Sequence, residues 1–391
     1  MKIVVDANVP AAERCFGFFG EMLRLPGREI TPADVRDADA LIVRSVTPVN
    51  AALVANSTLS FVGTCTIGTD HIDLDALKAR DIAFASAPGC NAEAVVDYVI
   101  SSLLTLAERG GWQLGERCVG IVGVGNVGSR LRSRLQAMGV ATLACDPPRA
   151  EKEGEDGYDS LATLLKRCDV ICLHTPLVPD GRHATHHLLG AQELDRLAPG
   201  SIVLNAGRGD CIDGLALRQC LVGRGMAGRG LVGRDSISAV LDVWEHEPGI
   251  DAGLRDLAAL ATPHIAGYSL DGKLRGSWMI HAALAAKTGR TPLSLDALLP
   301  PPALAELSLA QALDAEDALR LCVRAVYDVR RDHDRLLCQM HEEGMTLGFD
   351  RCRVDYPLRR EFSTLKVNLK GEALSLAPLL RAVGFQVNQQ T

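Results

Sequence analysis

Residues 118–139 read CVGIVGVGNVGSRLRSRLQAMG, a β-branched run, a glycine-rich turn and a helix-length stretch in immediate succession. Gly123, Gly125 and Gly128 fall in the G-x-G-x-x-G spacing, and the strand-to-helix context is what makes that spacing informative. The first glycine permits a tight turn, the second lets a pyrophosphate approach the backbone, and the third lets helix and strand pack closely. Asn126 and Val127, at the start of the helix, lie where backbone amides meet phosphate oxygens. Asp146 ends ATLACD, where the second strand of such a unit should finish, so its carboxylate can accept from ribose hydroxyls and repel a 2′-phosphate. These residues predict an NAD site in preference to NADP; the plainer reading of Asp146 is a turn residue ahead of Pro147 and Pro148.

The same rhythm extends both ways. Upstream, IVV at 3–5, ALIV at 40–43 and FVGT at 61–64 are short apolar runs, each followed by a helix-length polar segment. Downstream, ATLAC at 141–145, DVICL at 169–173, SIVLN at 201–205 and SAVLDV at 238–243 continue the series. Two Rossmann-like, doubly wound parallel-sheet lobes are predicted, an α/β fold. AEAVVDYVISSLLTLAE at 92–108 has apolar residues on more than one face, predicting a long buried helix between them. Pro292 and the run Pro300, Pro301, Pro302 mark a linker. Beyond it, ALAELSLAQALDAEDALRLCVRAVYDV reads as helical and LKVNLK at 365–370 as a strand, predicting a C-terminal α+β domain with a dimerisation role.

Composition narrows the function classes. A net charge of -7 gives no global attraction to nucleic acid or anionic membrane, and no apolar run has membrane-spanning length. The opening MKIVVDANVP lacks the layout of a secretory signal, and the twelve cysteines contain no Cys-x-x-Cys pair; reduced thiols in a cytoplasmic protein are expected. No metal is expected, since His183, His186 and His187, the one histidine cluster, lie in a polar connection read as lacking acidic or cysteine partners.

Three further segments, SIVLNAGRGDCID at 201–213, LDVWEHEP at 241–248 and ATPHIAGYS at 261–269, resemble successive signatures of the D-isomer-specific 2-hydroxyacid dehydrogenases. That resemblance implies a catalytic trio of Arg208, Glu247 and His264, and cofactor contacts at Thr175, Ala206, Gly207, Asp242 and Gly267. The residue types suit the chemistry. A guanidinium fork can hold a carboxylate at two points, an imidazole can accept and return a hydroxyl proton, and a neighbouring carboxylate orients the ring. The resemblance also implies a discontinuous substrate-binding domain (1–95 and 267–287), an NAD-binding domain (96–266) and a C-terminal domain (288–391).

VRSVTPVN at 43–50, GTCTIGTDHID at 63–73, GYSLDGK at 267–273 and the tail FDRCRVDYPLRREF at 349–362 resemble a narrower branch of that family, one acting on 4-phosphoerythronate during pyridoxal phosphate synthesis. It implies substrate contacts at Ser45, Thr66 and Tyr268, a homodimer, and a 2-oxo acid as a second substrate. Arg44 and the tail arginines Arg351, Arg353, Arg359 and Arg360 are candidates for the substrate phosphate; Arg353 is expected to reach the partner subunit's site, against a plainer reading as an exposed basic face. The segment 222–236, VGRGMAGRGLVGRDS, reads as a loop insertion, either a flap or a surface excursion. Other 2-hydroxy acids such as glycerate or phosphoglycerate, and a non-catalytic NAD-sensing corepressor or scaffold, are the rival readings.

Overall fold

The computed structural model describes residues 1–224 and 236–390; the greater part of the Gly-Arg segment singled out above, 225–235, lies outside the described residues. The chain divides into two compact units, Met1–Ala92 with Ser269–Pro301, and Glu93–Tyr268 with Pro302–Thr391.

In the first unit, β1 (Lys2–Asp6), β2 (Glu21–Leu25), β3 (Ala40–Val43), β4 (Phe61–Thr64) and β5 (Ala83–Ala85) form a parallel sheet in the order β2-β1-β3-β4-β5. β3 and β4 are buried along their whole length, as strands covered on both faces must be. Ser269 caps the helix Leu270–Lys287 by accepting the Gly272 amide at 2.8 Å. This helix lies so close to β4 that a Cβ on Gly63 would fall 2.3 Å from Ile280 Cγ2. Its Ile280, Leu284 and Ala285 complete a core with Ile3, Phe16 and Phe61.

In the second unit, β6 (Cys118–Val122), β7 (Ala141–Cys145), β8 (Val170–Leu173), β9 (Ile202–Asn205), β10 (Ser238–Leu241) and β11 (Leu260–Ala261) form a parallel sheet in the order β11-β10-β9-β8-β6-β7. The chain leaves β6 for one neighbour and returns for the other, so the strand order reverses between β6 and β8. A crevice for a ligand opens outside the carboxyl ends at such a switch point. The long helix runs from Ala92 to Gly110, and its Tyr98, Val99, Leu103 and Leu106 are buried.

The tail departs from its sequence reading at one element. The stretch from 303 onward, read as helical, begins instead with strand β12 (Glu306–Leu309), and the helix Ala315–Val326 starts only after Asp314, which accepts the amides of Glu316 and Asp317. Alternation in Glu306-Leu307-Ser308-Leu309 fits a strand with one face on a core, and pairing with β13 (Lys366–Leu369) overrides its helix propensity. With β14 (Gln386–Gln389) these make a parallel three-stranded sheet, β12-β13-β14. Phe362, Val367, Leu380 and Phe385 share one apolar core with Val99 and Leu103 of the long helix.

Candidate active site

Residues at the carboxyl ends of the second unit's strands form the site. After β6, Gly123 has φ +86, which glycine adopts without strain, and a Cβ on Gly128 would fall 2.0 Å from the Gly123 carbonyl oxygen. The turn and the helix Asn126–Ala137 therefore pack backbone to backbone. Asp146 follows β7. Its Oδ2 accepts the Val124 amide at 2.8 Å and its Oδ1 the Arg149 amide at 3.2 Å, tying the glycine turn to the first turn of the helix Pro147–Glu153. Each oxygen keeps a lone pair for a further donor. A cleft of about 530 Å3 lined by Gly125, Asn126, Ser129, Asp146, Pro148 and Arg149 is open beside it. Glycine turn, helix N-terminus and carboxylate thus fit the adenosine and pyrophosphate of a dinucleotide. Val127 is half-buried on the core, and Thr175, after β8, is buried with its hydroxyl 3.4 Å from Cys211 Sγ.

Arg208 stands on the loop after β9. Asn205 pins that loop from both sides: its Oδ1 accepts the Gly207 amide at 3.1 Å and its Nδ2 donates to the Arg208 carbonyl at 2.9 Å. Ala206 and Gly207 are half-buried, and Gly207 approaches the backbone of Thr175 so closely that a Cβ would lie 2.9 Å from its carbonyl oxygen. On the other side a Cβ on Gly209 would fall 2.0 Å from the Trp244 carbonyl oxygen. Glycines flanking Arg208 let its loop sit directly against the segment that leads to Glu247. The Arg208 side chain is exposed, its Nη1 donating to the Gly207 carbonyl at 2.9 Å.

Glu247 and His264 meet. His264 Nδ1 is 2.8 Å from Glu247 Oε2, and the other carboxylate oxygen accepts the Trp244 amide at 2.9 Å. His264 itself has φ +57, a conformation costly for a residue with a side chain, and its surroundings hold it there. Asp242, only 1% exposed, supplies most of that restraint. Its backbone carbonyl accepts the His264 amide at 2.7 Å. Its Oδ1 accepts from Thr262 Oγ1 at 2.7 Å and from the Ile265 amide at 2.8 Å, and its Oδ2 from the Ala266 amide at 2.9 Å. Burial pushes the Asp242 carboxyl up from its ordinary range, while nearby His264 and these donors pull it down. Expected as a cofactor contact, the carboxylate is here engaged with the loop that carries His264. Gly267 follows that loop, half-buried.

The C-terminal segment meets the same loop. Arg359 donates to the carbonyls of Ile265 (3.4 Å) and Ala266 (3.1 Å), and Arg353 Nη2 lies 3.3 Å from the Tyr268 hydroxyl. The tail arginine expected to act on the partner subunit therefore addresses Tyr268 of its own chain. The long separation of the two residues along the sequence hides this contact.

In the first unit, Ser45 is exposed just after β3, and Thr66 follows β4 with its hydroxyl bonded to Thr64 Oγ1 at 2.7 Å and the Gly68 carbonyl at 3.1 Å. Lys273 was missed by sequence reasoning as a candidate, although it stands in GYSLDGK. Burial and then the positive charge of Arg44 hold its ammonium below the ordinary lysine range. Two cations thus share this end of the sheet.

The histidine cluster does have acidic partners, supplied from elsewhere in the chain. Glu151 Oε2 lies 3.2 Å from His183 Nε2, and Glu245 Oε1 lies 2.8 Å from His187 Nε2. Glu245 Oε2 also accepts the Gly214 amide at 2.7 Å, so this pair braces the segment ahead of Glu247. Among the described residues no three or more His, Cys, Asp or Glu side chains are grouped to hold a metal ion, and no helix is long and apolar enough to cross a membrane.

Comparison with known proteins gives the same outline. Residues 103–266 match the NAD binding domain of D-isomer specific 2-hydroxyacid dehydrogenases, and residues 298–384 match a domain of unknown function. The chain is 52% identical over 391 residues, 99% of each chain, to the erythronate-4-phosphate dehydrogenase of Chromohalobacter salexigens. It is 51% identical over 389 residues to that of Azotobacter vinelandii, covering 99% of this chain and 100% of the other. Among solved structures, the TT0316 protein of Thermus thermophilus is similar with a TM-score of 0.59 at 27% identity, covering 75% of this chain and 98% of the other. A D-lactate dehydrogenase of Aquifex aeolicus has the same fold, with a TM-score of 0.57 at 23% identity over 73% of this chain and 96% of the other.

Proposed function

The chain belongs to the erythronate-4-phosphate dehydrogenases, within the D-isomer-specific 2-hydroxyacid dehydrogenase family, and from that premise we propose that it oxidises the C2 hydroxyl of 4-phospho-D-erythronate to 2-oxo-3-hydroxy-4-phosphobutanoate in pyridoxal 5′-phosphate synthesis. The observation that carries this reading is the Glu247–His264 pair at 2.8 Å, on a segment packed against the loop of Arg208.

Arg208 clamps the substrate carboxylate with its guanidinium fork, fixing C2. Because His264 Nδ1 donates to Glu247, Nε2 is the nitrogen left with a lone pair, and it takes the C2 hydroxyl proton as the C–H bond breaks. Glu247 holds the ring in that tautomer and stabilises the imidazolium that results. Gly123, Gly125, Asn126, Val127, Gly128 and Asp146, with Thr175, Ala206, Gly207, Asp242 and Gly267, would hold NAD, which would supply the hydride acceptor. Ser45, Thr66 and Tyr268 are hydroxyl partners for the polyhydroxy chain. Arg44 and Lys273 offer charge for the phosphate, a role supported by the Arg44 charge that, after burial, holds the Lys273 ammonium down.

We also place the enzyme in the cytoplasm as a homodimer. All twelve cysteines are free thiols, in keeping with a reducing compartment. Leu347, Val354 and Leu358 of the C-terminal segment are 67%, 79% and 83% exposed, apolar side chains that a second copy would cover.

Turnover of 4-phosphoerythronate, 3-phosphoglycerate and glycerate with NAD, each with and without added 2-oxoglutarate, tests the reading. Preferred oxidation of 4-phosphoerythronate is expected, and stimulation by the oxo acid would identify it as the acceptor that regenerates NAD. Preference for either other acid, or no oxidation of any, would overturn the assignment.

A further inference from the structure

We propose that the C-terminal domain is part of the catalytic scaffold, with Arg359 acting as a positioning residue for His264; this rests on the reading of His264 as the proton acceptor. Arg359 is 4% exposed, a burial that a guanidinium tolerates only when most of its donors are satisfied, as Nη1 and Nη2 are while Nε is without a partner. Its Cζ lies over the Tyr327 ring, 3.5 Å from the centroid. Nη1 reaches the carbonyls of Ile265 and Ala266, and Nη2 donates to the Ala94 carbonyl on the long helix at 2.5 Å.

These contacts complement those of Asp242. The carboxylate accepts the amides of Ile265 and Ala266, and the guanidinium donates to the carbonyls of the same two residues. Every backbone polar group of the dipeptide that follows His264 is therefore held by a buried ion, one from the nucleotide-binding sheet and one from the tail. Asp242 holds the amides and the Tyr268 amide, at 2.8 Å, the Ile265 carbonyl; a dipeptide held there can still turn at the Ala266 carbonyl. The second set of contacts removes that freedom and holds the φ +57 backbone of His264 in place. Arg359 is in turn fixed by its surroundings, because Asp332 Oδ2 accepts the hydroxyls of both Tyr327 and Tyr356 at 2.8 Å. The domain matched only as one of unknown function thus contributes order to the proton-transferring residue of its own chain.

The test uses the full-length enzyme and compares Arg359→Lys, Arg359→Ala, Val383→Ala and His264→Gln. Lysine keeps the charge but cannot fork to several carbonyls, so kcat should fall roughly 10- to 100-fold with the NAD dissociation constant within about twofold of wild type. Amide exchange in the peptide spanning 262–268 should accelerate, and added guanidinium ion should restore part of the kcat of Arg359→Ala. Val383→Ala, a buried substitution in the same domain at the end of the helix Ala377–Val383, should lower thermal stability and leave kcat unchanged. Wild-type kcat in Arg359→Lys, or an equal loss in Val383→Ala, overturns the proposal. Retained activity in His264→Gln instead overturns the reading beneath it.

Discussion

His264 Nδ1 lies 2.8 Å from Glu247 Oε2, and that carboxylate is itself anchored by the Trp244 amide on its other oxygen. The anchored acid fixes which imidazole nitrogen is free to act. Glu247→Gln keeps the volume but presents an amide that can turn its NH2 toward the ring and reverse the tautomer. A loss of roughly 100-fold or more in kcat is expected, with KM for the hydroxy acid changed far less. Steady-state kinetics at saturating NAD decides it; a proportionate rise in KM with kcat preserved would mean that Glu247 binds substrate instead.

The contact between the Arg208 loop and the Trp244 carbonyl leaves no space for a methyl group at Gly209. Gly209→Ala should displace the loop that presents Arg208, costing about 1–3 kcal/mol of stability and at least tenfold in kcat/KM. Urea unfolding and kinetics on the same preparation measure both effects. An alanine variant with normal stability and activity would show that the loop gives way easily.

Sequence made the nucleotide-binding sheet legible because its signals are local: a glycine turn between strand and helix, and apolar runs bounded by turns. β2, β5 and β14 give little sequence signal because edge strands are short or half-exposed, and β12 reads as helix because nothing local reveals its partner β13. The Arg208, Glu247 and His264 roles came from resemblance, and their spatial relationship was hidden by the residues between them. Asn205, Arg359 and the Arg353–Tyr268 contact left no local signature at all. Asn205 acts on the backbone two and three residues onward, while Arg359 and Arg353 act across long stretches of chain, on carbonyls and a hydroxyl that the linear order does not single out.

Asp146 has a structural role, and the cofactor role proposed for it can be told apart from that by two readouts on one substitution. Asp146→Ala removes the cap of the helix Pro147–Glu153 and the hold on the Val124 amide, a loss of about 1 kcal/mol in stability. It also removes the acceptor proposed for the ribose hydroxyls, worth about 1.5–3 kcal/mol, so the NAD dissociation constant should rise roughly 10- to 100-fold while discrimination against NADP narrows. Fluorescence titration with both dinucleotides reads the two affinities. An unchanged ratio of NAD to NADP affinity would leave Asp146 with the structural function alone.

Lys273→Met keeps the aliphatic stem while removing the charge held near Arg44. KM for 4-phosphoerythronate should rise roughly tenfold or more, and KM for unphosphorylated erythronate should hardly move, since only the former carries the extra dianion. Parallel rises for both acids would assign Lys273 to the general stability of the unit.

Asp97, on the long helix, is fully buried with Arg134 Nη1 on one oxygen at 2.7 Å and the Phe362 amide on the other at 2.8 Å. Burial raises its carboxyl from 3.8 to about 7, against the lowering by Arg134, by the Phe362 amide and by Arg359; Glu361 adds to the rise. Folding therefore takes up a proton at this site between those two values, so its contribution is full below the unfolded value and is lost as pH rises through about 7. Asp97→Asn is neutral at every pH and serves as the reference. Wild type should be most stable relative to the variant at or below about pH 4, and that advantage should shrink steadily by pH 8. Thermal unfolding of both proteins across this range provides the measurement. A gap that widens with pH would mean that Arg134 outweighs burial and keeps Asp97 ionised.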